Sequence, residues 1–136
     1  MDDTAHEVLR RYGTWAIVGL SPDPSRDSHR VARTLQRSGY QIVPINPGCD
    51  EVLGEPCWPT LLDVPPELGI DVVDLFRRAD QAGRHVDEAI AVGAHAVWFQ
   101  LGIRDDLAAA RARRAGMLVV EQRCPAIELP RLAAVH

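Results

Sequence analysis

The residues with the clearest chemistry lie where an apolar segment stops and gives way to a turn. Residues 15–20 are apolar around Gly19, and Ser21 opens a loop rich in proline, serine, aspartate and arginine that runs to Ser28. A buried strand, a glycine turn and an amphipathic helix together present backbone N–H groups to a phosphate in parallel α/β sheets. We therefore predict a phosphate-bearing, nucleotide-like ligand at this turn. The predicted binding residues here are Gly19, Leu20, Ser21, Arg26 and Ser28.

Polar and aromatic residues at the ends of three further predicted strands extend this candidate site. They are Asn46 and Pro47 after the second strand, Phe76 and Arg77 after the third, and Gln100 at the end of the fourth. The carboxyl ends of parallel strands meet at one edge of the sheet, where such folds bind ligands. Turn amides and guanidinium groups hold phosphates rather than break bonds. We therefore predict a binding site without catalytic residues.

Each of these positions also has a structural interpretation. Ser21 can bond the adjacent loop, Arg26 can be a solvated loop residue, and Asn46 can be only a turn former. Gln100 can satisfy loop backbone groups instead of a ligand. Cys124, after the last strand, is predicted to be a small structural residue rather than a nucleophile, because no histidine or acid lies at a spacing that would activate it.

The glycine turn departs from the dinucleotide-binding fingerprint. That motif places a second glycine where Ser21 stands, and an acidic residue at the end of the second strand for the ribose hydroxyls. Here the second strand ends at Asn46, and the nearest acids are Asp50 and Glu51, beyond a Pro-Gly turn. NAD(H) is therefore the alternative ligand rather than the first choice.

Strand and helix patterns alternate along the chain. Strands are predicted over 15–20, 40–45, 71–76, 96–100 and 117–121, and helices over 2–11, 30–38, 80–93, 105–116 and 128–135. Segment 49–62 is predicted to be irregular, with a short edge strand near 56–58. Such alternation with short loops forces crossover connections and a parallel sheet. We predict one α/β domain over residues 1–136, a three-layer Rossmann-type doubly wound, mainly parallel sheet of five to six strands.

Composition narrows the class of protein. The chain has 136 residues, a net charge of −4 and 46% hydrophobic residues, which is typical of a globular domain and argues against a general nucleic-acid binder. Its apolar runs are far shorter than the roughly 20 residues of a membrane span, and no secretory signal is recognisable. We expect a cytoplasmic protein that binds neither nucleic acid nor membranes. Cys49, Cys57 and Cys124 have no close paired spacing, which favours reduced thiols over disulfides or a metal site.

Six short segments form an ordered pattern along the chain. They are Val18-Gly-Leu-Ser21 with Pro24 and Arg26, Gly39-Tyr40 with Val43–Pro47, Val52-Leu-Gly54, Asp71–Arg77, Trp98–Gly102, and Arg123-Cys124-Pro125. Together they resemble the small stand-alone CoA-binding proteins, whose domain is similar to the CoA-binding domain of the succinyl-CoA synthetase alpha subunit. The resemblance spans residues 15–128. It implies that coenzyme A is the ligand, with its adenosine and phosphates over the first three main strands.

The resemblance also bears on catalysis. Larger relatives in this group add a phosphohistidine domain and an ATP-grasp partner for acyl-CoA ligation, and neither fits within 136 residues. We therefore predict a non-catalytic CoA- or acyl-CoA-binding protein whose protein partner is unknown. Two alternatives stay open, namely a nucleotide-sensing NAD(H) module, and a thiol- or acyl-transfer subunit that needs a separate ATP-dependent partner.

Overall fold

The computed structural model describes residues 3–135, which form seven strands and five helices. The strands are β1 (Thr14–Val18), β2 (Gln41–Ile45), β3 (Glu51–Val52), β4 (Glu55–Pro56), β5 (Val72–Leu75), β6 (Ala96–Phe99) and β7 (Leu118–Glu121). The helices are α1 (Thr4–Arg11), α2 (Asp27–Arg37), α3 (Ala79–Ala91), α4 (Asp106–Arg114) and α5 (Pro125–Val135), with 3₁₀ turns at Leu61–Asp63 and Pro66–Leu68. Five strands form one parallel sheet in the order β2-β1-β5-β6-β7. The predicted Rossmann-type α/β fold is confirmed.

The strands of the five-stranded sheet are mainly apolar because both faces of the sheet are covered. On one face, Trp15, Ile17 and Trp98 pack beneath α1, α2 and α5. On the other face, Val73 and Val97 pack beneath α3 and α4. Burying a large apolar side chain stabilises the folded state by roughly 1.5–3 kcal/mol. These two layers therefore hold the strand ends in fixed positions.

The strand order reverses between β1 and β5. The chain leaves β1 through α2 and returns to β2 on one side, whereas β5 pairs with β1 on the other side. Ala16 in β1 lies opposite Val43 in β2 and Val73 in β5. A ligand site is expected in the crevice at such a reversal, beyond the carboxyl ends of the strands. Gly19 and Phe76 lie at this point.

The segment after β2 is more regular than its composition indicates. Instead of one edge strand near 56–58, it contains the antiparallel hairpin of β3 and β4. Trp58 then makes an isolated parallel bridge with Ile45 at the outer edge of β2. The predicted edge strand is therefore reduced to a single bridge at Trp58. The hairpin was not predicted because each of its strands is only two residues long.

Two helices begin three residues earlier than predicted. α2 starts at Asp27 rather than Arg30, and α5 starts at Pro125 rather than Glu128. An acidic residue favours the positive end of the helix dipole, and proline is suited to the first helical position, so both starts are physically reasonable. Asp2, the predicted first residue of α1, lies outside the described residues.

The carboxylate of Glu128 anchors α5 against α1 and the end of β7. It is 2% exposed and lies 3.2 Å from His6 Nε2, 3.4 Å from Arg123 Nη1 and 3.1 Å from Arg131 Nη1. A buried carboxylate needs such partners to offset its lost hydration. This cluster fixes the loop at Cys124. Within residues 3–135, no helix is long and apolar enough to span a membrane.

Candidate functional site

A cavity of about 990 Å³ opens at the carboxyl ends of β1, β5 and β6. Eight predicted binding residues line it, namely Gly19, Ser21, Arg26, Ser28, Asn46, Phe76, Arg77 and Gln100. The volume is at the upper end of the range for small-molecule sites, roughly 300–1,000 Å³. The fold therefore brings residues from four strand ends and one helix start into a single cavity.

Two predicted binding residues do not line this cavity. The side chain of Leu20 is fully buried in the layer beneath α2, because the chain turns at Gly19 and directs it back into the core. Pro47 is exposed and lies outside the lining. Leu20 can therefore offer a ligand its backbone groups but not its side chain.

Sequence analysis missed part of the lining. Asp27, Arg30, Val31 and Thr34 come from one face of α2, while Leu101, Ile103, Ala126 and Ile127 line the region near β6 and α5. Ser25 and Cys124 complete the set. The α2 residues recur at the helical spacing of three and four, a signal that could have found them. The residues near β6 and α5 follow from tertiary packing alone.

Gly19 allows the turn that opens the site. Its φ is +85°, and its N–H donates to the carbonyl of Ile45 at 2.9 Å. A Cβ added here would lie 3.4 Å from the carbonyl group of Phe76 and from Arg77 Nε. Side chains other than glycine are strained at such a φ. Glycine therefore keeps both the turn and the space beside Arg77.

The loop from Ser21 to Ser28 is held by short-range hydrogen bonds. The N–H of Ser21 donates to Ser28 Oγ at 3.0 Å, and the N–H of Asp23 donates to Ser21 Oγ at 3.1 Å. Hydrogen bonds from the Ser25 backbone and hydroxyl lower the pKa of the Asp23 carboxyl. Among the described residues, no side chain caps the start of α2. The positive end of the α2 dipole therefore faces the cavity without a side-chain acceptor.

Three guanidinium groups lie on the cavity, those of Arg26, Arg30 and Arg77. Arg30 pairs with Asp27 and donates to the carbonyl of Ser25 at 3.0 Å. Among residues 3–135, no carboxylate lies within ion-pair distance of Arg26 or Arg77. The cavity is thus locally positive in a chain of net charge −4. Such a site favours an anion that accepts directed hydrogen bonds, such as a phosphate.

Two amide side chains have different roles in the cavity. Asn46 Nδ2 donates to the carbonyl of Leu20 at 2.9 Å, and Asn46 Oδ1 accepts from the N–H of Gly48 at 2.8 Å. Asn46 therefore joins the loops after β1 and β2. Gln100 is 6% exposed, and its Oε1 has no hydrogen-bond partner among the described residues. Because the residue lines the cavity, a rotation of the Gln100 amide would offer this buried acceptor to a ligand that donates a hydrogen bond.

The remaining candidate groups are a thiol on the cavity and three carboxylates away from it. Cys124 lines the cavity, and within the described residues neither a histidine nor a carboxylate bonds to its thiol. Asp74 is completely buried outside the cavity, and burial raises its pKa well above the usual 3.8. Asp50 and Glu51, the nearest acids for a dinucleotide ribose, do not line the cavity. This geometry is suited to binding an anion.

Comparison with known proteins agrees with this geometry. A sequence profile of the CoA binding domain matches residues 13–130. The chain belongs to the CoA-binding domain family. The uncharacterized protein YneT of Bacillus subtilis (strain 168) is 35% identical to this family member over 118 residues, which are 87% of this chain and 86% of YneT.

Solved structures that are similar to this CoA-binding family member include a protein of about the same length and a much larger enzyme. A hypothetical protein from Pyrococcus horikoshii OT3 superposes with a TM-score of 0.91 and 40% identity, over 98% of this chain and 93% of that one. The dinucleotide-forming acetyl-coenzyme A synthetase 1 of Ca. Korarchaeum cryptofilum superposes with a TM-score of 0.71 and 26% identity. That match covers 86% of this chain but 27% of the synthetase. The predicted resemblance to small stand-alone CoA-binding proteins, and to the CoA-binding domain of the acetyl-CoA and succinyl-CoA synthetase family, is therefore confirmed.

Proposed function

We propose that the protein binds coenzyme A or an acyl-CoA in the cavity at the strand ends, and that it performs no chemistry on this ligand. The observation that carries the proposal is the pair of guanidinium groups on Arg26 and Arg77. Within residues 3–135 neither group forms an ion pair with a carboxylate, although Asp23 lies near enough to Arg26 to attract it, and both groups share the cavity with the glycine turn and the start of α2. The diphosphate of CoA supplies the acceptors that guanidinium and backbone N–H groups require.

The opposite end of the cavity fits the pantetheine arm. That arm carries amide N–H donors, a dimethyl group and a thiol. The unpartnered Oε1 of Gln100 accepts such a donor, and Leu101, Ile103 and Ile127 give apolar contact beside it. One ligand with an anionic end and an amide-rich, partly apolar arm therefore matches both ends.

The proposed lack of catalysis rests on the groups that surround the bound ligand. Nucleophilic catalysis needs a nucleophile within hydrogen-bond reach of a base. Cys124 is the thiol on the cavity, and no such base contacts it among the residues described. CoA would therefore be held rather than converted. The expected cytoplasmic location stays a prediction.

Isothermal titration with CoA, ADP and NAD tests the proposal. We expect saturable CoA binding, weaker ADP binding and no NAD binding at the same concentrations. Thermal unfolding gives an independent readout, because a ligand at 100 times its Kd stabilises the folded state by about 2.7 kcal/mol. Stabilisation by NAD(H) without CoA would overturn the proposal in favour of a nucleotide-sensing domain.

A second candidate function is an acyl- or thiol-transfer subunit that acts with a separate ATP-dependent partner. It is favoured by the position of the Cys124 thiol at the cavity end that would receive the pantetheine thiol. Incubation of acyl-CoA with this protein and its co-purified partners, with and without ATP, tests this candidate. Turnover that is lost in Cys124→Ser supports it, and the absence of turnover in every mixture contradicts it.

A further inference from the structure

The thiols of Cys49 and Cys57 meet at the base of the β3–β4 hairpin. Their sulfur atoms are 2.7 Å apart, although eight positions separate the two residues in sequence. The N–H of Cys57 donates to the carbonyl of Asp50 at 2.9 Å, which extends the hairpin pairing and fixes the two chain segments side by side. A disulfide bond is about 2.05 Å long, so a small side-chain movement brings these sulfurs to bonding distance.

We propose that Cys49 and Cys57 form a reversible intramolecular disulfide, and that this pair is a modification site for low-molecular-weight disulfides. Both side chains are half-buried, so a small reagent can reach them. Cys124 lies elsewhere, on the cavity after β7. The three cysteines therefore comprise one reactive pair and one separate thiol. The spacing in sequence did not indicate this pair, because the hairpin creates it.

The surroundings of the pair disfavour one of its two thiolates. Burial raises the pKa of the Cys57 thiol to about 12, and the hydrogen bond with Cys49 and the negative charge of Asp50 add to this effect. Since only a thiolate attacks a disulfide, this raised pKa disfavours Cys57 as the first nucleophile.

The oxidation then proceeds in two balanced exchange steps. The Cys49 thiolate attacks one sulfur of the reagent disulfide, forms a mixed disulfide and expels one reagent thiolate. Cys57 then loses its proton to solvent and attacks Cys49 Sγ, which expels the second reagent thiolate. The two protein thiols are oxidised to one disulfide, and one reagent disulfide is reduced to two thiols.

The cross-link would stabilise the edge of the sheet. The hairpin is joined to α2 by the side chain of Gln36, which donates to the carbonyl of Leu53 at 3.0 Å. It is joined to β2 through Trp58, whose N–H donates to Pro44 and whose carbonyl accepts from Asn46, each at 3.0 Å. A cross-link across a short loop restricts the unfolded chain while it leaves these native contacts in place. We expect the oxidised protein to unfold at a Tm roughly 3–8 °C higher.

The test uses the wild-type protein, reduced, freed of reductant and then incubated with oxidised glutathione. After an acid quench and unfolding, maleimide labelling should fall from three thiols to one, and peptide mapping should find a Cys49–Cys57 cross-link. Dithiothreitol should restore both the three thiols and the lower Tm. The absence of this link, or mixed disulfides with glutathione alone, overturns the proposal without any variant.

Matched serine variants give a second measurement. Cys124→Ser retains Cys49 and Cys57, and both of these thiols should be lost to the Cys49–Cys57 disulfide on oxidation. Cys49→Ser should form no intramolecular link and should show no rise in Tm on oxidation. Equal thiol loss and equal Tm shifts in these two variants would contradict the assignment. Circular dichroism confirms that each reduced variant is folded before oxidation.

Discussion

The two ends of the cavity differ in both charge and origin. The end near α2 is built from the turn after β1 and from Arg26 and Arg77, neither of which forms an ion pair with a carboxylate among residues 3–135. The end near β6 and α5 contains the buried amide of Gln100 and apolar side chains such as Ile127. We infer that the first end supplies most of the affinity, because hydrogen bonds to charged groups are stronger than neutral ones. The second end distinguishes CoA, whose diphosphate carries a pantetheine arm, from nucleotides that lack this arm.

Of the proposed substitutions, Arg77→Ala should raise the Kd for CoA the most. Loss of a charged hydrogen bond costs about 1.5–3 kcal/mol, so the Kd for CoA should rise roughly 10- to 100-fold. Binding of adenosine, which has no phosphate, should change much less. Titration calorimetry with both ligands measures the two effects.

Arg78→Ala is the matched control for this prediction. Arg78 is exposed, lies 3.6 Å from Asp80 and does not line the cavity. Its removal should leave CoA binding unchanged. Equal losses in the two arginine variants, or equal losses of CoA and adenosine in Arg77→Ala, would assign Arg77 a structural role.

Gly19→Ala tests whether the turn itself shapes the anionic end. A non-glycine residue in this backbone region costs about 1–3 kcal/mol, so the free energy of unfolding should fall by that amount. CoA binding should weaken about tenfold as Arg77 and Phe76 shift away from the new methyl group. Chemical denaturation and titration give the two quantities.

Gly13→Ala is the control, since a Cβ there meets nothing within 4 Å and its φ is not in the left-handed region. It should cost little in stability and nothing in binding. If Gly19→Ala bound CoA as tightly as Gly13→Ala, the turn would not be the phosphate site.

Gln100→Ala tests the neutral end. Removing the unpartnered acceptor should raise the Kd for CoA by about threefold to tenfold, the value of an uncharged hydrogen bond. The Kd for ADP, which has no pantetheine arm, should stay unchanged. An equal loss of affinity for CoA and ADP would place Gln100 at the phosphates and would contradict the proposed difference between the two ends of the cavity.

Much of this architecture could be predicted from the sequence, because strong local signals set it. Apolar runs such as 15–20 and 96–99, short and set between helical patterns, favour buried strands, and Gly19 lies near the end of the first. The fold and the edge that holds the site follow from those signals. The same signals place Gly19 and Arg77 at one edge of the sheet.

The details that could not be predicted depend on contacts between distant segments. The position of Ile127 on the cavity depends on how α5 packs across the sheet, anchored by Glu128 and its three cationic partners. The contact of Cys49 with Cys57 depends on a hairpin whose strands are two residues long. The burial of the Leu20 side chain depends on the direction that the chain takes at Gly19.

The smallest effect on binding is expected from Asp74→Asn, which alters the core beneath the site. Burial raises the pKa of the folded Asp74 carboxyl, so the unfolded chain ionises first as the pH rises above about 3.8. The free energy of unfolding therefore falls as the pH rises above this value. Asparagine does not ionise, so Asp74→Asn removes this loss. Asp74→Asn should raise the Tm at pH 7–8, and the gain should vanish near pH 4.

Thermal unfolding from pH 4 to 8 measures this dependence, with the exposed Asp50→Asn as control. A Tm gain in Asp74→Asn that is constant with pH would contradict the argument from burial. Its Kd for CoA should equal that of the wild type, because Asp74 does not line the cavity.

A crystal structure of the protein with CoA tests the central claim most directly. The account predicts the diphosphate against the backbone from Gly19 to Ser21, with Arg77 donating to it, and the pantetheine arm crossing to Gln100. A diphosphate bound away from that turn, or a pantetheine arm directed away from Gln100, would contradict it.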